Sequence, residues 1–201
     1  MAWFLFLFGC ITQVDFMQHK YLFMTLLGCR PPGRLTEQHD VFFGIAGSMK
    51  ELVPAIQASW PEARGVLHVD AWRRVTQVGD FHIEVTERGL AKETSPYRLF
   101  FINLGGYKPD EFDEFHYKML VVAKDKAGAI RLAKQTAFYK HVGFKGAPAH
   151  IDDKYGVDVD EVHEMQEILS DEYKERYHLH ITAGAGVEDE LHLGYFVLHK
   201  L

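Results

Sequence analysis

The chain has 201 residues, a formal net charge of −6, a pI near 6.0, and 47% hydrophobic against 25% charged residues. This balance excludes a nucleic-acid binder that works by broad phosphate neutralisation, because the basic residues are too few and too scattered. Only two cysteines, Cys10 and Cys29, are present; without CxxC or Cys/His spacing they support neither a disulfide framework nor a structural zinc site, and a reducing, cytoplasmic setting follows.

Residues 1–16 contain an apolar run, Ala2 to Ile11, that is too short to span a bilayer and lacks the basic opening of a secretory signal. Residues 1–20 are therefore read as an N-terminal extension outside the fold, with Met17 as the start and no membrane partner. Leu22 to Leu27 is apolar on both alternating faces, as expected of a strand covered on both sides, and Gly28 is read as its end. A loop containing Pro32 leads to Glu37, His39, Val41, Phe43 and Ile45, which alternate as a second strand. Ser48 followed by Glu51 spells a capping box for a helix, in which Pro54 predicts a kink or a later start. Leu67 to Asp70 returns as a strand, and Gly79-Asp80 joins Arg73–Val78 to Phe81–Val85 as a hairpin.

The stretch Leu99 to Ala123 then repeats Leu22 to Ala46 without a gap. An offset of 77 pairs Leu22 with Leu99, Phe23 with Phe100, Leu27 with Leu104, Gly28 with Gly105, His39 with His116 and Ala46 with Ala123. Eight of the twenty-five positions are identical, against about one or two expected from ordinary composition. Asp125 caps the second helix where Ser48 caps the first, and Ile130, Ala133 and Ala137 recur at helical spacing. The tripeptides His68-Val69-Asp70 and His150-Ile151-Asp152 are aligned at an offset of 82, which implies a five-residue insertion near His141 to Lys145. Val157–Met165, a helix capped by Ser170, and two strands, His178–Thr182 and Leu191–Leu198, complete the chain.

These elements predict an α+β fold built by internal duplication of a ββαβ(β) unit. One main helix packs on a mixed sheet in each repeat, and a pseudo-twofold relates them. Residues 21–96 form repeat one, and 97–201 form repeat two with a C-terminal extension. A unit under about eighty residues is marginal alone, so the copies should share a core. The stretch LGG-x-x-P-x4-E-x-H (Leu104 to His116), FYKHVGFKG (Phe138 to Gly146) and HIDDKYG (His150 to Gly156) resembles the bacterial DUF1543 family. That resemblance implies a domain carried in one or two copies, and it brings no catalytic residues with it.

Histidine is the outlier of the composition, at twelve residues, and imidazole both binds metals and titrates near neutral pH. The candidate ligand-binding residues are Glu37 and His39 with their doubles Glu114 and His116. The candidate metal ligands are His68 and Asp70 with His150 and Asp152, a donor set suited to zinc, manganese or iron. Apart from such a divalent metal no cofactor is evident. The strand pattern separates the two groups: His68 and Asp70 alternate with Leu67 and Val69, whereas His39 shares a face with Val41, Phe43 and Ile45. On that reading one repeat does not assemble a site by itself, and a site between repeats stays open. The Gly105-Gly106 run lacks a phosphate-loop pattern and reads as a turn. His141 and Lys145 with Tyr139 and Phe144 read as a helix end, and Cys29 has no base beside it. Two functions remain: a small-ligand or protein-binding module, with a homo-oligomer compatible, or a metal-dependent hydrolytic enzyme using the paired histidines and carboxylates.

Overall fold

The structure, a computed structural model, describes residues 19–89, 95–107, 110, 112–135 and 158–201. Strands β1 (Tyr21–Cys29) and β2 (Gln38–Ala46) precede helix α1 (Met49–Ser59), a 3-10 turn (Pro61–Ala63) and β3 (His68–Val75). After β4 (Gln77–Val78) and β5 (Phe81–Glu87) come β6 (Arg98–Tyr107), β7 (Glu114–Ala123) and helix α2 (Lys126–Ala133). The chain continues with β8 (Asp158–Glu164), short helices α3 (Met165–Ile168) and α4 (Asp171–Arg176), β9 (Tyr177–Ala183) and β10 (His192–Val197). Their order in space is β10-β3-β1-β2 in one sheet, β7-β6-β8 in a second and β4-β5-β9 in a third.

The α+β class is as expected, but the mixed sheet is not. Every pairing among the described strands is antiparallel. The helix between β2 and β3 crosses over β1, so its flanking strands run the same way without touching, and β1 lies between them with opposite sense.

The apolar runs of β1 and β6 are double-sided because each strand separates two cores. Phe23 and Leu27 pack with Met49, Leu52 and Ile56 of α1, while Leu22 faces the other way. Phe100 and Leu104 likewise pack with Ala129 and Ala133 of α2, and Leu99 faces away. The outward set, Leu22, Phe43 and Ile45 with Leu99, Phe101, Leu120 and Val122, forms one shared core with Ile83, Leu179 and Ile181 of β5 and β9. Phe43 and Phe101 meet edge to face there, 5.2 Å between ring centroids. Burying each such side chain contributes roughly 1.5–3 kcal/mol.

The registers of the two larger sheets match. Tyr21 faces Ala46 and Cys29 faces Gln38 across β1–β2, and the same pairs displaced by 77, Arg98–Ala123 and Gly106–Phe115, occur across β6–β7. The pairing of β1 with β3 slips between Leu26 and Leu27, and that of β6 with β8 slips at the corresponding Asn103 and Leu104. Beyond the helices the offset is larger than expected from sequence. Gly28 faces His68 and Gly105 faces Asp158, an offset of 90, so Asp158-Val159-Asp160 occupies the place assigned to His150-Ile151-Asp152. A shared tripeptide in a connection of variable length is a weaker guide to register than strand pairing. His150 and Asp152 themselves lie outside the described residues, as do residues 1–18 and the segment 136–157.

Local rules explain most boundaries. Gly79 adopts φ 55 in the two-residue turn between β4 and β5, a conformation that favours glycine. Helix α1 runs unbroken through Pro54 from Met49, so the later start is not adopted; its first turn is held by the buried Met49 and Leu52. The capping box is half made: Glu51 accepts from Gly47 N at 3.1 Å and from the Ser48 hydroxyl at 3.4 Å, but Ser48 caps no backbone donor. Lys20 also donates to Glu51 at 2.8 Å, and with the Gly47 bond holds that carboxyl below its usual pKa. Asp125 does cap its helix, accepting from Gly128 N at 2.6 Å. Asp125→Ala should therefore cost about 0.5–2 kcal/mol by urea denaturation.

One pH effect arises in the third sheet. His178, paired with Thr86 across β5–β9, has its pKa held down by burial, then by Arg88 and His180. The unfolded chain then binds the proton more readily than the fold, so stability is full above the unfolded value and falls as pH drops from about 6.5 toward the lowered one. His178→Gln should flatten the stability–pH curve in that window, measured by urea denaturation from about pH 7 to 5.

Candidate functional site

Among the described residues, Gly28 is the centre of a polar cluster in which four of the sequence candidates, Glu37, His39, His68 and Asp70, meet. Near the C-terminal end of β1 it lies opposite His39 on β2 and opposite His68 on β3, so the two imidazoles flank it in a single row. Glycine here is a strand-interior residue rather than a strand end. A Cβ on Gly28 would come within 2.4 Å of Asp70 Oδ2 and 2.5 Å of His68 Nε2; the missing side chain is the space the cluster occupies.

Asp70 is aimed by a β-bulge. Leu27 pairs with Val69 and Leu26 with Ala71, which leaves Asp70 as the extra residue of β3. A bulge of this kind re-aims a side chain and ends regular alternation; two residues on, Trp72 packs beside Phe23 on the α1 side. The neighbouring β10 is irregular at the same level, pairing Leu193 with Ala71 and Phe196 with Val69. Tyr195, between them, lays its ring 4.1 Å from that of His68.

The four side chains converge. His68 Nε2 lies 3.1 Å from Glu37 Oε1 and 3.2 Å from Asp70 Oδ1, while His39 Nε2 lies 3.2 Å from Asp70 Oδ2 and 3.7 Å from Glu37 Oε2. The cluster is graded in exposure: the side chain of His68 is 5% accessible, against 41% for His39 and 45% for Glu37. Despite the short distances, both ring nitrogens of His68 and Oδ2 of Asp70 are buried without an aligned hydrogen bond. Buried polar atoms are nearly always satisfied, so short but poorly aligned contacts leave room for a ligand to improve on them.

The separation of His39 from His68 expected from sequence is overturned. Val41, Phe43 and Ile45 were expected to face a different layer from His68 and Asp70, but they face the shared core between the sheets rather than α1. The side of sheet β10-β3-β1-β2 turned away from α1 therefore carries all four residues. No second repeat is needed to assemble them.

On sheet β7-β6-β8, β7 places His116 opposite Gly105, the station that His39 occupies opposite Gly28, and Glu114 opposite Tyr107, whereas Glu37 lies just before β2 and outside its ladder. The β6–β8 slip leaves Asp160 as the extra residue, so both bulges carry an aspartate, and Asp158 stands where His68 stands. His150 and Asp152, aligned with His68 and Asp70 by sequence, are not the residues of β8 that face Gly105. Among the described residues no group of three or more His, Cys, Asp or Glu side chains is arranged to hold a metal ion.

Sequence reasoning missed Gly28, the Asp70 bulge and Tyr195. A glycine inside a doubly apolar strand is a signal of close approach, whereas a residue arriving from more than a hundred positions away leaves no local trace. Gly105 and Gly106 are likewise strand residues of β6 and not a turn. Cys29 is buried and free, with its thiol pKa pushed up by burial and then by Glu37, the reverse of an activated nucleophile.

Residues 34–85 match the family model described as Domain of Unknown Function (DUF1543), a window that contains Glu37, His39, His68 and Asp70. A search of curated proteins finds no match. The chain is similar in fold to a protein Il1583 from Idiomarina loihiensis, known from its crystal structure, with a TM-score of 0.59 and 22% identity over 89% of this chain and 98% of that one.

Proposed function

We infer that this chain, which carries a DUF1543 domain, is a small-ligand-binding module whose polar site is the cluster of Glu37, His39, His68 and Asp70. The observation that carries this reading is the convergence of two carboxylates, Glu37 and Asp70, on the buried imidazole of His68, whose ring nitrogens make no aligned hydrogen bond among the described residues. We further infer that the chain arose by duplication, with 21–96 and 97–201 as its halves. The matched registers and the aspartate bulge in both halves support this. On that view Glu114 and His116 are the second half's version of Glu37 and His39, with Asp158 replacing an imidazole. Among the described residues no helix is long and apolar enough to cross a membrane, and a free buried thiol at Cys29 suits the reducing, cytoplasmic setting we assign.

Stability and binding test this together. His68→Leu keeps the buried volume while removing the ring from Glu37 and Asp70, and should change stability by less than about 2 kcal/mol. A loss beyond about 2 kcal/mol would make the ring a structural group and sink the proposal. In parallel, histidine Cε1–H resonances followed through a fragment screen should show hits that move His39 and His68 together and vanish in the variant.

A second reading, a metal-dependent hydrolytic site, is favoured by one observation. The N···O separations of 3.1–3.2 Å between neighbouring donors are near the roughly 3.3 Å edge of a tetrahedron of ligands about zinc. The arrangement does not count among the described residues as a group of three or more donors placed to hold a metal ion, which speaks against it. Zinc or manganese added at a hundred times its dissociation constant would stabilise a true site by about 2.7 kcal/mol, an effect that Asp70→Asn should abolish. Fragment hits without metal stabilisation favour the first reading; metal stabilisation without hits favours the second.

A further inference from the structure

A groove of about 580 Å³ opens at the end of the four-stranded sheet, where the loop after β1 runs beside the turn before β3. Its lining includes three arginines, Arg30 and Arg34 from the first loop and Arg64 from the second, with Pro31, Leu35 and Val66 among them. In a chain of net charge −6 this is a local concentration of positive charge. Among the described residues none of the three guanidiniums has a carboxylate partner. Like charges held together without a counter-charge repel one another, and an anion removes that cost.

A second observation concerns Arg64 alone. It ends the 3-10 turn Pro61–Ala63 in the left-handed region, with φ 47 and ψ 38, and its own N–H closes the turn on Pro61 O. Glycine or asparagine holds such a position at little cost, and an arginine there is strained. The side chain is exposed, so the strained backbone buries nothing of the arginine itself. The apolar surface is also unusual: Leu35 is 96% and Val66 58% accessible, at the edge of the arginines.

We propose that this groove binds a small phosphate monoester, its phosphate held by Arg30, Arg34 and Arg64 and its apolar body lying on Leu35 and Val66. Guanidinium forks match phosphate oxygens, and three of them suit a group carrying close to two negative charges. The groove volume is within the range of small-molecule sites. This proposal is independent of the histidine cluster, which uses other side chains.

The test is calorimetric titration of the full chain with phenyl phosphate, inorganic phosphate and benzoate at low and high salt. Phenyl phosphate should bind saturably, more tightly than inorganic phosphate or benzoate, and should weaken as salt rises. Arg64→Asn should weaken it by about tenfold, and Arg30→Ala with Arg34→Ala by more. The melting temperature of Arg64→Asn should stay the same or rise, because asparagine accepts the left-handed backbone. Absence of saturable binding, equal binding by the variants, or benzoate binding as tightly as phenyl phosphate would overturn the proposal. So would a fall in melting temperature for Arg64→Asn, which would make the arginine a structural cap.

Discussion

Leu104→Ala and Phe100→Ala should each destabilise the chain by about 2–5 kcal/mol in urea denaturation, a large share of the whole stability of a domain this size. Leu104 is wholly buried and Phe100 is 2% accessible. Both project from the central strand β6 into the core under α2, where their neighbours Ala129 and Ala133 are too small to collapse into the void. In the other half the positions displaced by 77, Leu52 and Ile56, are large and could relax around a truncated Phe23. Losses under about 0.5 kcal/mol at both Leu104 and Phe100 would contradict the assigned core.

Gly28→Ala should cost about 1–3 kcal/mol and, more tellingly, displace the imidazole of His68. The added methyl would overlap Asp70 Oδ2 and His68 Nε2, and His68 is walled in by the ring of Tyr195. A shift of the His68 Cε1–H resonance larger than that of His39 is the expected signature, since His39 is free to move into solvent. Gly89→Ala, where an added Cβ would meet nothing within 4 Å, is the matched control and should stay within about 0.5 kcal/mol of the parent. An unmoved His68 resonance in Gly28→Ala would show that the cluster is not built around that glycine.

Much of the fold was legible because its strongest signals are local. The doubly apolar runs at Leu22 and Leu99 identified the central strands, and the offset of 77 located both helices and their caps. What failed depended on which layer an apolar face meets. Val41, Phe43 and Ile45 read as an apolar face that sets His39 apart from His68 and Asp70, yet their partners are Phe101 and Leu120 on another sheet. Alternation reports that a strand has two faces and not what covers each of them. The same gap separated His39 from His68 on paper. The register beyond α2 failed for a different reason: His150-Ile151-Asp152 repeats two of three letters of His68-Val69-Asp70, but Asp158 and Val159 are the residues paired with β6.

The strand β10 has a consequence for how the chain is made. It covers β3 on the four-stranded sheet, pairing His192 with Trp72 and Val197 with His68, and its approach is tied down by Asp189, which accepts from Thr76 N at 2.8 Å and Gln77 N at 3.0 Å. During synthesis β3 leaves the ribosome long before β10 exists. For that interval, many seconds at ordinary elongation rates of roughly 5–20 residues per second, β3 is an open sheet edge, and the wall that Tyr195 gives His68 has not been translated. An unpaired edge is a template for strand exchange with another nascent chain. The polysome is thus where this protein is most exposed to mispairing, and slow or stalled translation just upstream of residue 190 is the circumstance that would reveal it.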